Sequence, residues 1–184
     1  MANPADLVQG SAGVMVAAFA GCVYKALQLP PAADSPAATV HALGPVFVVT
    51  AAWVCLLYIW LFNQSVTAFA EHRRLRREAK AEAAARPPPR LADVKYGTVP
   101  SPRMLVANRT VGNYLEQALP FLVALYTHAA LVSVRGAVRC GWLYLLMRSY
   151  YPLAFQRPFP ALLMSTVPSY LVVGYLLITA LRTL

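Results

Sequence analysis

The chain has 184 residues, of which 59% are hydrophobic and 12% charged, about half the charged fraction of a soluble domain. Residues 35–70, 117–134 and 158–181 contain no Lys, Arg, Asp or Glu, and a bilayer core takes roughly 20 apolar residues as a helix. A soluble enzyme, a disordered tail, a disulfide scaffold and a collagenous chain are excluded; an all-α, polytopic integral membrane protein is predicted.

In chain order, residues 7–24 form an apolar, small-residue stretch. Only Asp6 is charged before it, so the basic n-region of a secretory signal is missing. It is expected to be an additional N-terminal hydrophobic helix, broken by Pro30, Pro31 and Pro36, which sets residues 1–43 apart from a membrane domain over 44–184. The second element spans about 44–70. It should continue out of the bilayer through residues 72–85, rich in the strong helix formers Arg, Glu, Lys, Leu and Ala. The run Arg86-Pro87-Pro88-Pro89-Arg90 then ends it, because proline has no N–H to continue the helix. A third element is expected over about 103–134, a fourth over 137–156 and a fifth over 159–181. The short turns 133–137 and 156–160 suit antiparallel neighbours.

The net charge of +9 is unevenly placed: residues 71–103 hold nine Lys and Arg against four acids. Such a basic loop beside a span marks the cytoplasmic-type side and favours anionic membrane lipids as partners. Nucleic acid is not expected, since Tyr96 is the one aromatic residue among these charges. Cys22, Cys55, Cys140, His41, His72 and His128 are scattered without ligand spacing, so no metal site is expected.

One residue conflicts with the apolar background. Glu116 is the sole side-chain carboxylate after Asp93, and an acid in a membrane helix costs about 2.5–3.5 kcal/mol on insertion scales unless it is paired. Arg109, Asn113, Glu116 and Pro120 follow at steps of +4, +3 and +4, so they share one helix face. Arg109 and Glu116 are roughly 10 Å apart along the axis. Two readings follow. Glu116 could pair with Arg148 of the next helix and lock the helices together. Alternatively this face lines a polar pocket for a small zwitterion, with the acid holding an amine and arginines holding carboxylates. The two are compatible.

The run Arg109-Thr-Val-Gly-Asn113-Tyr-Leu-Glu116-Gln-Ala-Leu-Pro120 resembles the RxxxNxxExxxP signature of the MAPEG superfamily, the small four-helix membrane glutathione transferases and eicosanoid synthases. The resemblance covers about residues 44–184. It implies a MAPEG-like four-helix bundle, a homotrimer, and glutathione bound between subunits at the cytoplasmic-type side of an endomembrane or organelle membrane. By position, Arg109, Asn113, Glu116, Arg148 and Tyr151 would contact the tripeptide, and Arg73 or Arg74 matches the arginine that ends the first helix. Two departures stand out. Phe155 replaces a second family tyrosine. Leu162, Leu163 and Met164 occupy the place where active members carry an arginine that stabilises the thiolate. A thiol near pKa 8.5 is only a few per cent thiolate at neutral pH, so Arg73, Arg74 or Arg157 would have to supply the catalytic cation. The expected function is glutathione transfer or peroxidase chemistry on lipophilic electrophiles. The alternative is a catalytically silent relative serving as a structural subunit of a larger membrane complex.

Overall fold

The structure is a computed structural model that describes residues 17–21, 23–24, 28, 34–81 and 88–184. These residues form helices joined by short turns, with no β-strand among them. A 3-10 turn, Val40–Leu43, leads into α1 (Gly44–Ala81); then follow α2 (Leu91–Lys95), α3 (Pro102–Glu116), α4 (Ala118–Leu131), α5 (Val134–Phe155) and α6 (Leu163–Leu181). Of the expected N-terminal element, residues 17–21 and 23–24 are helical, and Phe19 packs against the core; the rest lies outside the described residues, as do Arg86 and Pro87 of the proline run.

Two helices are long and apolar enough to cross a membrane: Val40–Ala81, which joins the 3-10 turn to α1, and α6. The apolar part of α1, residues 44–70, rises about 40 Å at 1.5 Å per residue, which already exceeds a bilayer core of about 30 Å. The helix runs on through the charged residues from Glu71 to Ala81; residues 82–85 of the expected continuation lie outside the described residues. The second charge-free stretch, 117–134, behaves differently. Pro120 has no N–H to offer the Glu116 carbonyl and its ring crowds that oxygen, so the helix breaks at Gln117. It restarts with Phe121 N–H donating to the Gln117 carbonyl at 3.1 Å. The apolar half, α4, is left with 14 residues, about 21 Å. Helix α5 has 22 residues but carries Arg135, Arg139 and Arg148.

From residue 88 on, the basic linker is more ordered than its polarity suggests. Asp93 accepts the Arg90 N–H at 2.8 Å, which starts α2, and Val94 is fully buried. Gly97, at φ +78°, turns the chain through the left-handed region. Ser101 then caps α3 by accepting the Met104 N–H at 3.2 Å, with Pro102 at the first helical position.

Helix α5 packs on α1, α3, α4 and α6, and α6 also lies along α4. The core holds Val46, Val49, Trp53 and Leu56 from α1, Tyr114 from α3, Phe121 and Leu125 from α4, Tyr144 and Leu145 from α5, and Leu176 from α6. Two aromatic stacks tie it together: Trp53 on Tyr114, with centroids 5.0 Å apart, and Phe121 on Tyr144, at 3.9 Å. The Tyr114 hydroxyl also donates to the Trp53 carbonyl at 3.0 Å. Close approach of α1, α4 and α5 requires Gly141. A Cβ there would stand 2.6 Å from Val49 Cγ1 and 3.2 Å from Leu125 Cδ1, and valine's branched side chain has little rotameric freedom to retreat.

Candidate functional site

Residues from α3 and α5 line a cavity of about 290 Å³. Its walls include Arg109, Gly112, Asn113 and Glu116 from α3 and Tyr151 from α5. The +4, +3 spacing does place Arg109, Asn113 and Glu116 on one face, and the next helix brings Tyr151 against it. Arg109 and Glu116 are exposed, and among the described residues neither forms an ion pair within 4 Å. The wall thus carries a cation and an anion that are not paired with each other or with another charge among the described residues. A second, mostly apolar cavity of about 340 Å³ adjoins the first through shared residues Leu105 and Asn108. Asn108 is held in that shared wall by Gln64, which donates to its Oδ1 at 2.9 Å, and by its own amide, which donates to the Lys95 carbonyl at 3.3 Å.

Arg148 lies behind the first cavity rather than on its wall. It is 1% exposed, and its Nη1 donates to Asn113 Oδ1 at 2.5 Å. The guanidinium lies over the rings of Tyr144 and Tyr170, 5.3 and 5.6 Å from their centroids, a cation–π arrangement that compensates part of its desolvation. Its Nε and Nη2, like the neighbouring Tyr144 hydroxyl, have no hydrogen-bond partner among the described residues. The pairing of Glu116 with Arg148, open as one reading of the sequence, is not formed. Asn113, one helical turn before Glu116, takes the guanidinium, while the Glu116 carboxylate stays at the exposed rim.

The three arginines considered for thiolate stabilisation stand elsewhere. Arg74 Nη2 bonds Glu71 Oε2 at 3.0 Å and its Nη1 bonds Glu78 Oε1 at 2.8 Å. Arg73 is exposed on the same charged extension of α1, and Arg157 is exposed in the turn after α5. None of the three lines the cavity beside Glu116.

A polar cluster not singled out in the sequence is centred on Glu71. This carboxylate is 3% exposed. Besides Arg74 it accepts the Ser101 hydroxyl at 3.0 Å and faces Arg103 at 3.5 Å. Burial works against its charge, but the hydrogen bonds of Arg74 and Ser101 and the charges of Arg74 and Arg103 outweigh that, holding its pKa below the ordinary 4.5. The i,i+3 step to Arg74 was visible in the sequence. Ser101, thirty residues on, was not a partner that spacing could reveal. Among the described residues no three His, Cys, Asp or Glu side chains gather to hold a metal.

Compared with known proteins, the chain matches no family model, no curated protein and no solved structure.

Proposed function

We propose that the protein is a MAPEG-type, multi-pass membrane protein that binds glutathione in the cavity of Arg109, Asn113, Glu116 and Tyr151, as a trimer or within a larger membrane assembly. The observation that carries this reading is Glu116 and Arg109 on one cavity wall, neither of them ion-paired among the described residues. Glutathione offers one ammonium and two carboxylates, the charges such a wall complements. Bound there, its thiol would serve transfer or peroxidase chemistry on lipophilic electrophiles, with the adjoining apolar cavity close at hand.

A second reading, a silent relative with a structural role, is favoured by one specific observation. Leu162, Leu163 and Met164 replace the late arginine, while Arg74 is already engaged by two carboxylates. Titration calorimetry on the detergent-purified protein tests binding. Wild type should release heat with glutathione, and Glu116→Gln should abolish it; equal binding by both removes the cavity from the reading. Rapid mixing then separates the two functions. A burst of thiolate absorbance on adding glutathione supports catalysis, and binding without a burst supports the silent relative.

A further inference from the structure

The geometry points to Arg148 as a positioning residue: buried behind the cavity, it turns the Asn113 amide so that its NH2 group faces the ligand as a donor. This inference rests on the glutathione reading above and specifies how the centre of that cavity recognises its ligand.

A guanidinium nitrogen can only donate, so the Asn113 atom it meets must be the carbonyl oxygen. Nη1 donates directly to Oδ1, and a bond from an ionised donor is stronger than one between neutral groups. With Oδ1 committed to the buried side, Nδ2 is left to the cavity that Asn113 lines. No described protein group accepts from it. An asparagine without such a neighbour could present either end, and a ligand carboxylate would have to select one orientation of the amide. Arg148 removes that choice before the ligand arrives.

The wall then reads in order along α3: a cation at Arg109, a neutral donor at Asn113 and an acceptor at Glu116. That sequence suits a carboxylate and an ammonium side by side, as on the α-carbon of an amino acid. The carboxylate would lie over Arg109 and Asn113, and the ammonium against Glu116. Arg148 contributes no direct contact; its own partners are Asn113 and the rings of Tyr144 and Tyr170.

The informative substitution is Asn113→Asp. Its carboxylate would form an ion pair with Arg148, giving the buried cation the counter-charge it lacks, while removing the donor from the cavity. A residue of merely structural importance would lose stability and binding together. Here the two move in opposite directions. In melting and glutathione calorimetry on the full chain, Asn113→Asp should melt higher than wild type without ligand. It should bind glutathione at least about tenfold more weakly, the effect of one hydrogen bond to a charged group. Arg148→Met should fold and also lose about tenfold, since the amide is free to turn; Arg148→Lys, still a cationic donor, should bind more tightly than Arg148→Met.

If wild type binds glutathione and Asn113→Asp binds it equally well, the positioning role is wrong and the glutathione reading stands. If Asn113→Asp melts below wild type, the contact with Arg148 is not the one described and the inference falls on that arm alone. If wild type does not bind glutathione, the functional reading and this inference fail together.

Discussion

Two buried charges, one at each level of the molecule, are treated in opposite ways. Glu71, beyond the apolar part of α1, is surrounded by Arg74, Ser101 and Arg103, and both its oxygens are engaged. Arg148, within the packed helices, has one hydrogen bond from three nitrogens among the described residues and lies over two tyrosine rings. The first arrangement closes a joint between α1 and α3. The second leaves polar capacity beside a cavity. A buried charge whose partners are complete explains itself structurally, whereas Arg148 keeps Nε and Nη2 without a partner among the described residues, behind the cavity that Asn113 lines.

The largest expected stability effect is at Glu71. Glu71→Ala removes a carboxylate that joins three side chains and should cost about 1.5–3 kcal/mol in melting or denaturant titration, the range for hydrogen bonds to charged groups. The upper end of the buried-pair range is not reached, because the side chains of Arg74 and Arg103 are 47% and 77% exposed and can return to water. A neutral result would mean that the α1–α3 joint is held by apolar contacts alone.

The same group sets a pH dependence. Its folded pKa lies below the ordinary 4.5, so its contribution is complete above that value and is lost as pH falls through the lowered folded pKa. Melting temperature should therefore decline below about pH 4.5 in wild type, and the decline should be shallower in Glu71→Gln. Parallel curves would assign the acid sensitivity to other carboxylates. Ser101→Ala is expected to cost about 1 kcal/mol, since it removes both the cap of α3 and one bond to Glu71. The smallest stability change is expected for Arg148→Met. No ion pair among the described residues is broken, the freed Asn113 amide can turn to the cavity, and an apolar side chain escapes the desolvation penalty of a buried charge. If Arg148→Met destabilises more than Glu71→Ala, the contrast between the two regions is wrong.

Much of the architecture was legible from local pattern. Charge-free stretches marked the two helices of membrane-crossing length, and the run of Arg, Glu, Lys and Ala showed that α1 would continue past its apolar part. The Arg109, Asn113, Glu116 face followed from helical spacing, because residues three and four apart share a side whatever surrounds them. The break at Gln117 was written in Pro120 but was masked by the unbroken hydrophobicity of residues 118–134. Apolar composition reports burial and does not report the continuity of backbone hydrogen bonds.

The sequence by itself determined helicity, the apolar stretches and which α3 residues lie side by side, since each depends on neighbours within a turn or two of the chain. Tertiary structure alone decided the partners across helices. It placed Arg148 on Asn113 instead of Glu116, brought Ser101 and Arg103 to Glu71, and set Tyr151 beside Glu116. The physical reason is that charge pairing depends on distances of 3 to 4 Å between helices. Those distances are set by how the helices cross, by the close approach that Gly141 permits, and by the kink that Pro120 introduces, none of which is encoded in the spacing of the charges themselves.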